Sequence, residues 1–178
     1  MSSEEIIEKY RKGLIQLDKN ENMARMINQY SSIYEEQNSI NAEFRHLIVS
    51  RLFKNYTIID KPLIRYLLEQ EALWCEHGFT DELVQLCYML YKIGNIDDIQ
   101  LLWEIKNNNF DTYCGLDIQL VAVPDVDDAL EYLRTKSEEW AFNATNYIES
   151  CLNSGDFCER VFYLDKIESQ FNKEKNES

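Results

Sequence analysis

TDELVQLCYMLYKIG, residues Thr80–Gly94, opens with a hydroxyl and two acids and closes on a glycine. A side-chain oxygen at a helix N-cap accepts an orphan backbone N–H, and first-turn carboxylates complement the helix dipole. Glycine takes the left-handed turn that ends a helix. Between these signals, LVQLCYMLYKI is apolar almost all round, a pattern suited only to a helix covered on several sides. The stretch is therefore predicted to be a central helix of an all-α protein.

The same signals recur outward from it. Upstream, Ser2-x-x-Glu5 has the capping-box pattern and leads into Ile7, Tyr10, Leu14 and Leu17 at helical spacing. Met23, Met26, Ile27, Tyr30 and Tyr34 make a second stripe, and Ile40, Phe44, Leu47, Ile48 and Leu52 a third. Asp60-Lys61-Pro62 reads as a cap with proline in the first turn of a fourth helix, which ends at Gly78.

Downstream of Gly94, Asp97-Asp98 opens a sixth helix with Ile99, Leu102 and Trp103 inward. Asp111-Thr112 opens a seventh, running to about Val123. Pro124-Asp125 separates that from an eighth. Ser137-Glu138-Glu139 caps the ninth, with Trp140, Ala144, Tyr147, Ile148 and Cys151 along one stripe. The tenth follows Gly155-Asp156.

Composition agrees, since 5 Gly and 2 Pro in 178 residues leave little material for the tight turns of a β-sandwich, where average usage gives about 12 and 9. The expected architecture is about ten short amphipathic helices stacked as antiparallel hairpins, an α-solenoid in the style of HEAT or tetratricopeptide arrays. The signature patterns of those families are lacking, and an irregular helical bundle is the alternative. Residues 1–168 are expected to form a single helical domain, with 169–178 a frayed polar tail.

Charge bounds the partners. Lys+Arg is 18 against 32 Asp+Glu, a net charge of −14. Such a polyanion repels phosphate backbones and anionic bilayers, so neither nucleic acid nor membrane is expected as a partner. Residues 1–89 carry 10 basic and 14 acidic groups and residues 90–178 carry 8 and 18, which directs a basic partner to the second half. The N-terminal MSSEEIIEKYRKG lacks the apolar run of a secretory signal. The five cysteines, Cys75, Cys87, Cys114, Cys151 and Cys158, show neither C-x-x-C nor zinc spacing. Reduced, buried thiols in a cytoplasmic protein are the expectation.

Patterns that carry chemistry are few. Glu43-x-x-His46 has the spacing used twice in di-iron bundles but occurs once, and His77 reads as a helix C-terminal cap. A nucleophile elbow, a phosphate loop and H-E-x-x-H are all missing, so catalysis and bound cofactors are not expected. Asp125-x-Asp127-Asp128 lacks the glycine and glutamate an EF-hand loop requires.

The window Gly94–Glu131 stands out, with nine acids against a single Lys106. Asp97, Asp98, Asp111, Asp125 and Asp128 sit where helix N-termini favour carboxylates. Asp117 has Tyr113, Cys114, Leu120 and Val121 as helical neighbours, so on this reading it projects from an apolar surface and capping leaves it unexplained.

The expected partner-binding residues are Asp97, Asp98, Trp103, Asp111, Tyr113, Asp117, Asp125, Asp127, Asp128 and Glu131, aromatic anchors among charge. The expected function is protein binding, in its most specific form an acidic immunity or inhibitor protein neutralising a basic partner such as a toxin nuclease. A helical-repeat adaptor or scaffold is the alternative, and a carboxylate-dependent metal protein a distant one.

Overall fold

The computed structural model describes residues 2–14, 38–74 and 79–173. Among these residues the chain is all-α, with α-helices linked by loops and short 3-10 turns and no strand. The second helix, expected with Met23 to Tyr34, lies outside the described residues, as do Leu17 of the first stripe and the Cys75–Gly78 end of the fourth with His77. The chain divides into two compact units, Met1–Leu86 and Cys87–Ser178.

The first unit contains α1 (Ser3–Arg11), α2 (Asn38–Lys54), α3 (Lys61–Trp74) and the start of α4 (Asp81–Ile93). The capping box forms as expected: Glu5 N–H donates to Ser2 Oγ (3.2 Å) and Ser2 N–H donates to the Glu5 carboxylate (2.9 Å). α1 packs on α2 and buries Ile6 and Ile7, whereas Leu14 lies beyond its end and is exposed.

Asp60 does not cap α3 by its side chain, as the sequence suggests. It turns back to accept from Thr57 N–H (2.8 Å) and from Arg11 Nε and Nη2 (2.8 and 2.7 Å). Burial pushes the Asp60 carboxyl up, but these donors outweigh it and hold the pKa below the usual carboxylate range.

Deeper in the unit, Arg45 of α2 is ion-paired with Glu71 of α3, both almost fully buried. Thr80 Oγ1 donates to Glu71 Oε2 (3.3 Å) and accepts from Leu83 N–H (3.3 Å), so Thr80 caps α4 as expected. Leu83 and Gln85 through Leu90 are all buried, the environment the all-round apolar pattern required.

In the second unit, Gly94 ends α4 in the left-handed region (φ +69°). A 3-10 turn, Ile96–Asp98, then leads into α5 (Ile99–Lys106), followed by α6 (Phe110–Gly115), α7 (Val126–Arg134), α8 (Glu139–Ser154) and α9 (Arg160–Lys173). α7 and α8 pack side by side, and Arg134 bonds Glu149 across them (2.7 Å). Ser137 does not cap α8. Glu138 occupies the N-cap without a side-chain bond to the helix. α9 continues through Lys173 and buries Ile167 and Phe171, reaching into the stretch expected as a tail, while Val161 stays exposed. With helices of 6 to 16 residues in this unit, the stacked-hairpin expectation gains no support from element lengths.

The main departure is at 116–123. The expected helix stops at Gly115, and the apolar run from Leu116 to Val123 is a buried, largely irregular segment with one 3-10 turn, Ile118–Leu120. Leu116 is extended (ψ 113°), which breaks the helical path. The carbonyls of Asp117, Ile118 and Val121 accept from backbone N–H groups within the segment, and cations meet others there and at the end of α6. Lys106 Nζ donates to Tyr113 O (2.8 Å) and Leu116 O (2.7 Å), and Arg160 donates to Gln119 O (2.9 Å) and to Ala122 O. Buried backbone polar groups need partners, and here long side chains supply them.

The described cysteines are free thiols, but only Cys87 and Cys151 are buried; Cys114 and Cys158 are exposed, contrary to expectation. Burial and the nearby Asp156 push the Cys151 thiol up to about 11. Because the thiolate is the reactive form, native protein should show rapid modification at Cys114 and Cys158 and slow modification at Cys151. In Cys114→Ser/Cys158→Ser the rapid phase should lose two thiols per chain; an unchanged amplitude would contradict these exposures.

Candidate functional site

The acids of the Gly94–Glu131 window do not form one surface. Asp98 is fully buried and therefore unavailable to a partner. Asp117 is a cap after all: it precedes the 3-10 turn, and its Oδ1 accepts from Gln119 N–H (2.9 Å). The sequence reading erred because it placed Asp117 on a helix that does not exist there. Asp111 is exposed in the first turn of α6.

Glu104 accepts from Gln100 on α5 (2.9 Å), and the other five acids do meet. Asp125 caps α7, accepting from Asp128 N–H (2.9 Å), and Asp127, Asp128 and Glu131 are exposed on that helix. Tyr132 on α7 donates its hydroxyl to Asp97 (3.3 Å), which joins the preceding 3-10 turn to the same face. The neighbouring Asp125 carboxylate, with Glu131 and Asp127 adding to it, pushes the Asp128 pKa above the usual carboxylate value. Lys136 lies over the Tyr132 ring (4.3 Å to the centroid), and Tyr132 above all, then Glu138 and Asp97, raise its pKa.

A second feature lies between α5, α6 and α8. Trp103, Tyr113, Trp140 and Tyr147 wall an open groove of about 560 Å³. Asn107, Asn143 and Glu139 complete its lining. The rings meet at an angle: Trp103 and Tyr147 are 5.7 Å apart and tilted, and Tyr113 and Tyr147 are 6.0 Å apart edge-to-face. Burial, with a hydrogen bond to Tyr113, raises the Tyr147 pKa above the usual phenol value.

Under the tyrosines the buried Lys106 ammonium lies 5.0 and 5.5 Å from the Tyr113 and Tyr147 centroids. Burial lowers its pKa and nearby Asp117 opposes that shift. Trp103 and Tyr113, expected as anchors, are thus brought together, Trp103 buried and Tyr113 partly exposed. Trp140, Tyr147, Asn143 and Glu139 were missed. Their signal was the 140/143/147 spacing, where a polar residue between two aromatics marks a half-exposed helix face instead of a core stripe.

Among the described residues no group of three or more His, Cys, Asp or Glu side chains could hold a metal ion. His46 does not join Glu43 in a ligand pair; its Nδ1 pairs with the Glu82 carboxylate. No helix among the described residues is long and apolar enough to cross a membrane. Comparison with family models, curated proteins and solved structures found no match.

Proposed function

We propose that the protein is a non-catalytic binding module, an acidic inhibitor of immunity type that neutralises a basic partner such as a toxin nuclease. The carrying observation is the carboxylate face of α7, where Asp125 at the cap and Asp127, Asp128 and Glu131 on the helix are exposed together. Like charges held together are relieved by an incoming cationic surface, and their field speeds its capture. The same face sits in the half of the chain that carries 18 acids against 8 bases.

The test neutralises the face without touching its cap: Asp127→Asn, Asp128→Asn and Glu131→Gln, with Asp125 kept. The partner is identified by pull-down or from the adjacent gene. Association of the triple variant should be slower by about tenfold at low salt and converge with the parent near 1 M, because steering is screened. Dissociation should change little. Equal association rates at every salt concentration would overturn the proposal.

A further inference from the structure

We propose that the groove walled by Trp103, Tyr113, Trp140 and Tyr147 receives an arginine side chain presented by the basic partner, an inference that rests on the inhibitor reading and gives it a specific contact. The walls are the first argument. Aromatic faces carry negative potential and attract cations within about 6 Å, and a planar guanidinium also stacks on indole. This ring set already does so internally, since the Lys106 ammonium lies 5.0 and 5.5 Å from the two tyrosine centroids.

The acceptors are the second argument. Glu139 is exposed and pairs with no cation among the described residues. Asn143 is exposed and its side chain makes no hydrogen bond among them, and Asn107 commits its amide nitrogen to Trp103 O (2.8 Å), leaving its oxygen as an acceptor. A guanidinium brings five N–H donors in a fixed fork, which suits a carboxylate and two amide oxygens beside an aromatic face. An apolar side chain in the same place would desolvate Glu139 and give it nothing in return.

Lys106 does not make the groove a site for anions. Its ammonium is directed at the carbonyls of Tyr113 and Leu116 and faces the charge of Asp117. Arginine is favoured over lysine because its cation is weakly hydrated and spreads its charge, so it suffers less from a second cation nearby.

The test uses the whole chain and needs no partner. The indole N–H signals of Trp103 and Trp140 are followed by NMR during titration with N-acetyl-L-arginine amide and with the neutral isostere N-acetyl-L-citrulline amide. Arginine amide should give saturable shifts, and citrulline amide should bind at least about tenfold more weakly. Glu139→Gln and Trp140→Leu should each weaken arginine binding several-fold, with the thermal midpoint of Glu139→Gln lowered by no more than a few degrees, the loss of one first-turn charge, to show that the fold is intact. Equal responses to both amides, or no saturable shift with arginine amide up to about 100 mM, would overturn the inference. The two proposals fail separately. Arginine binding here, with partner association indifferent to the α7 charges, defeats the inhibitor reading alone.

Discussion

Arg45→Met is expected to destabilise the first unit by about 3–5 kcal/mol, because it leaves a buried carboxylate without its cation. Arg45 and Glu71 are both almost fully buried, and Thr80 offers Glu71 only one neutral hydrogen bond. The double variant Arg45→Met/Glu71→Leu should recover most of the loss, since removing both charges also removes the desolvation cost. Urea denaturation followed by circular dichroism reads both effects.

The pH dependence gives an independent check. Burial raises the Glu71 pKa even with Arg45 present, and Arg45 is the largest opposing influence. A carboxyl whose folded pKa lies above its unfolded value favours the folded state when protonated, and that contribution is lost as pH rises through the folded pKa. Without Arg45 the folded pKa should climb further. The deficit of Arg45→Met should therefore be largest near neutral pH and shrink on acidification towards the unfolded carboxyl value of about 4.3. A deficit independent of pH would mean that Glu71 does not carry the penalty.

Lys106→Met should have the second-largest effect, about 2–5 kcal/mol in the second unit. Methionine keeps the length and apolar stem but removes the donors to Tyr113 O and Leu116 O, and an unsatisfied buried polar group costs about 1–3 kcal/mol. Solvent reaching these carbonyls would lower the cost, so hydrogen exchange around 113–116 should rise together with the loss of stability. A variant as stable as the parent would show that the two carbonyls find other partners.

How far the sequence can be read follows from where its interactions run. α4 and α7 were legible because their signals are local: Thr80 and Asp125 accept from N–H groups three residues on, and Gly94 turns left-handed directly after α4. The Leu116–Val123 segment was not legible. An apolar run of that length suits a buried helix and a buried loop equally, and what decides between them is a pair of cations at Lys106 and Arg160. Asp98 shows the same limit: its position at a helix start is visible in the sequence, its complete burial is not. In the aromatic groove, Trp103 and Tyr113 were singled out for their acidic company, but the other wall comes from α8 and only packing brings it there.

The tethering of the Leu116–Val123 segment also sets an order of assembly. Lys106 reaches its carbonyl partners across 7 and 10 residues, whereas Arg160 reaches across 41 and 38. Closing the longer loops costs about 1.2 kcal/mol more in chain entropy, because that cost grows with the logarithm of length. Chain entropy alone therefore favours closing the Lys106 tether before the Arg160 tether. In terms of chain connectivity the segment is a staple between distant parts of the unit: Arg160 of α9 fixes the carbonyls of Gln119 and Ala122, so loosening α9 should also free the far end of 116–123.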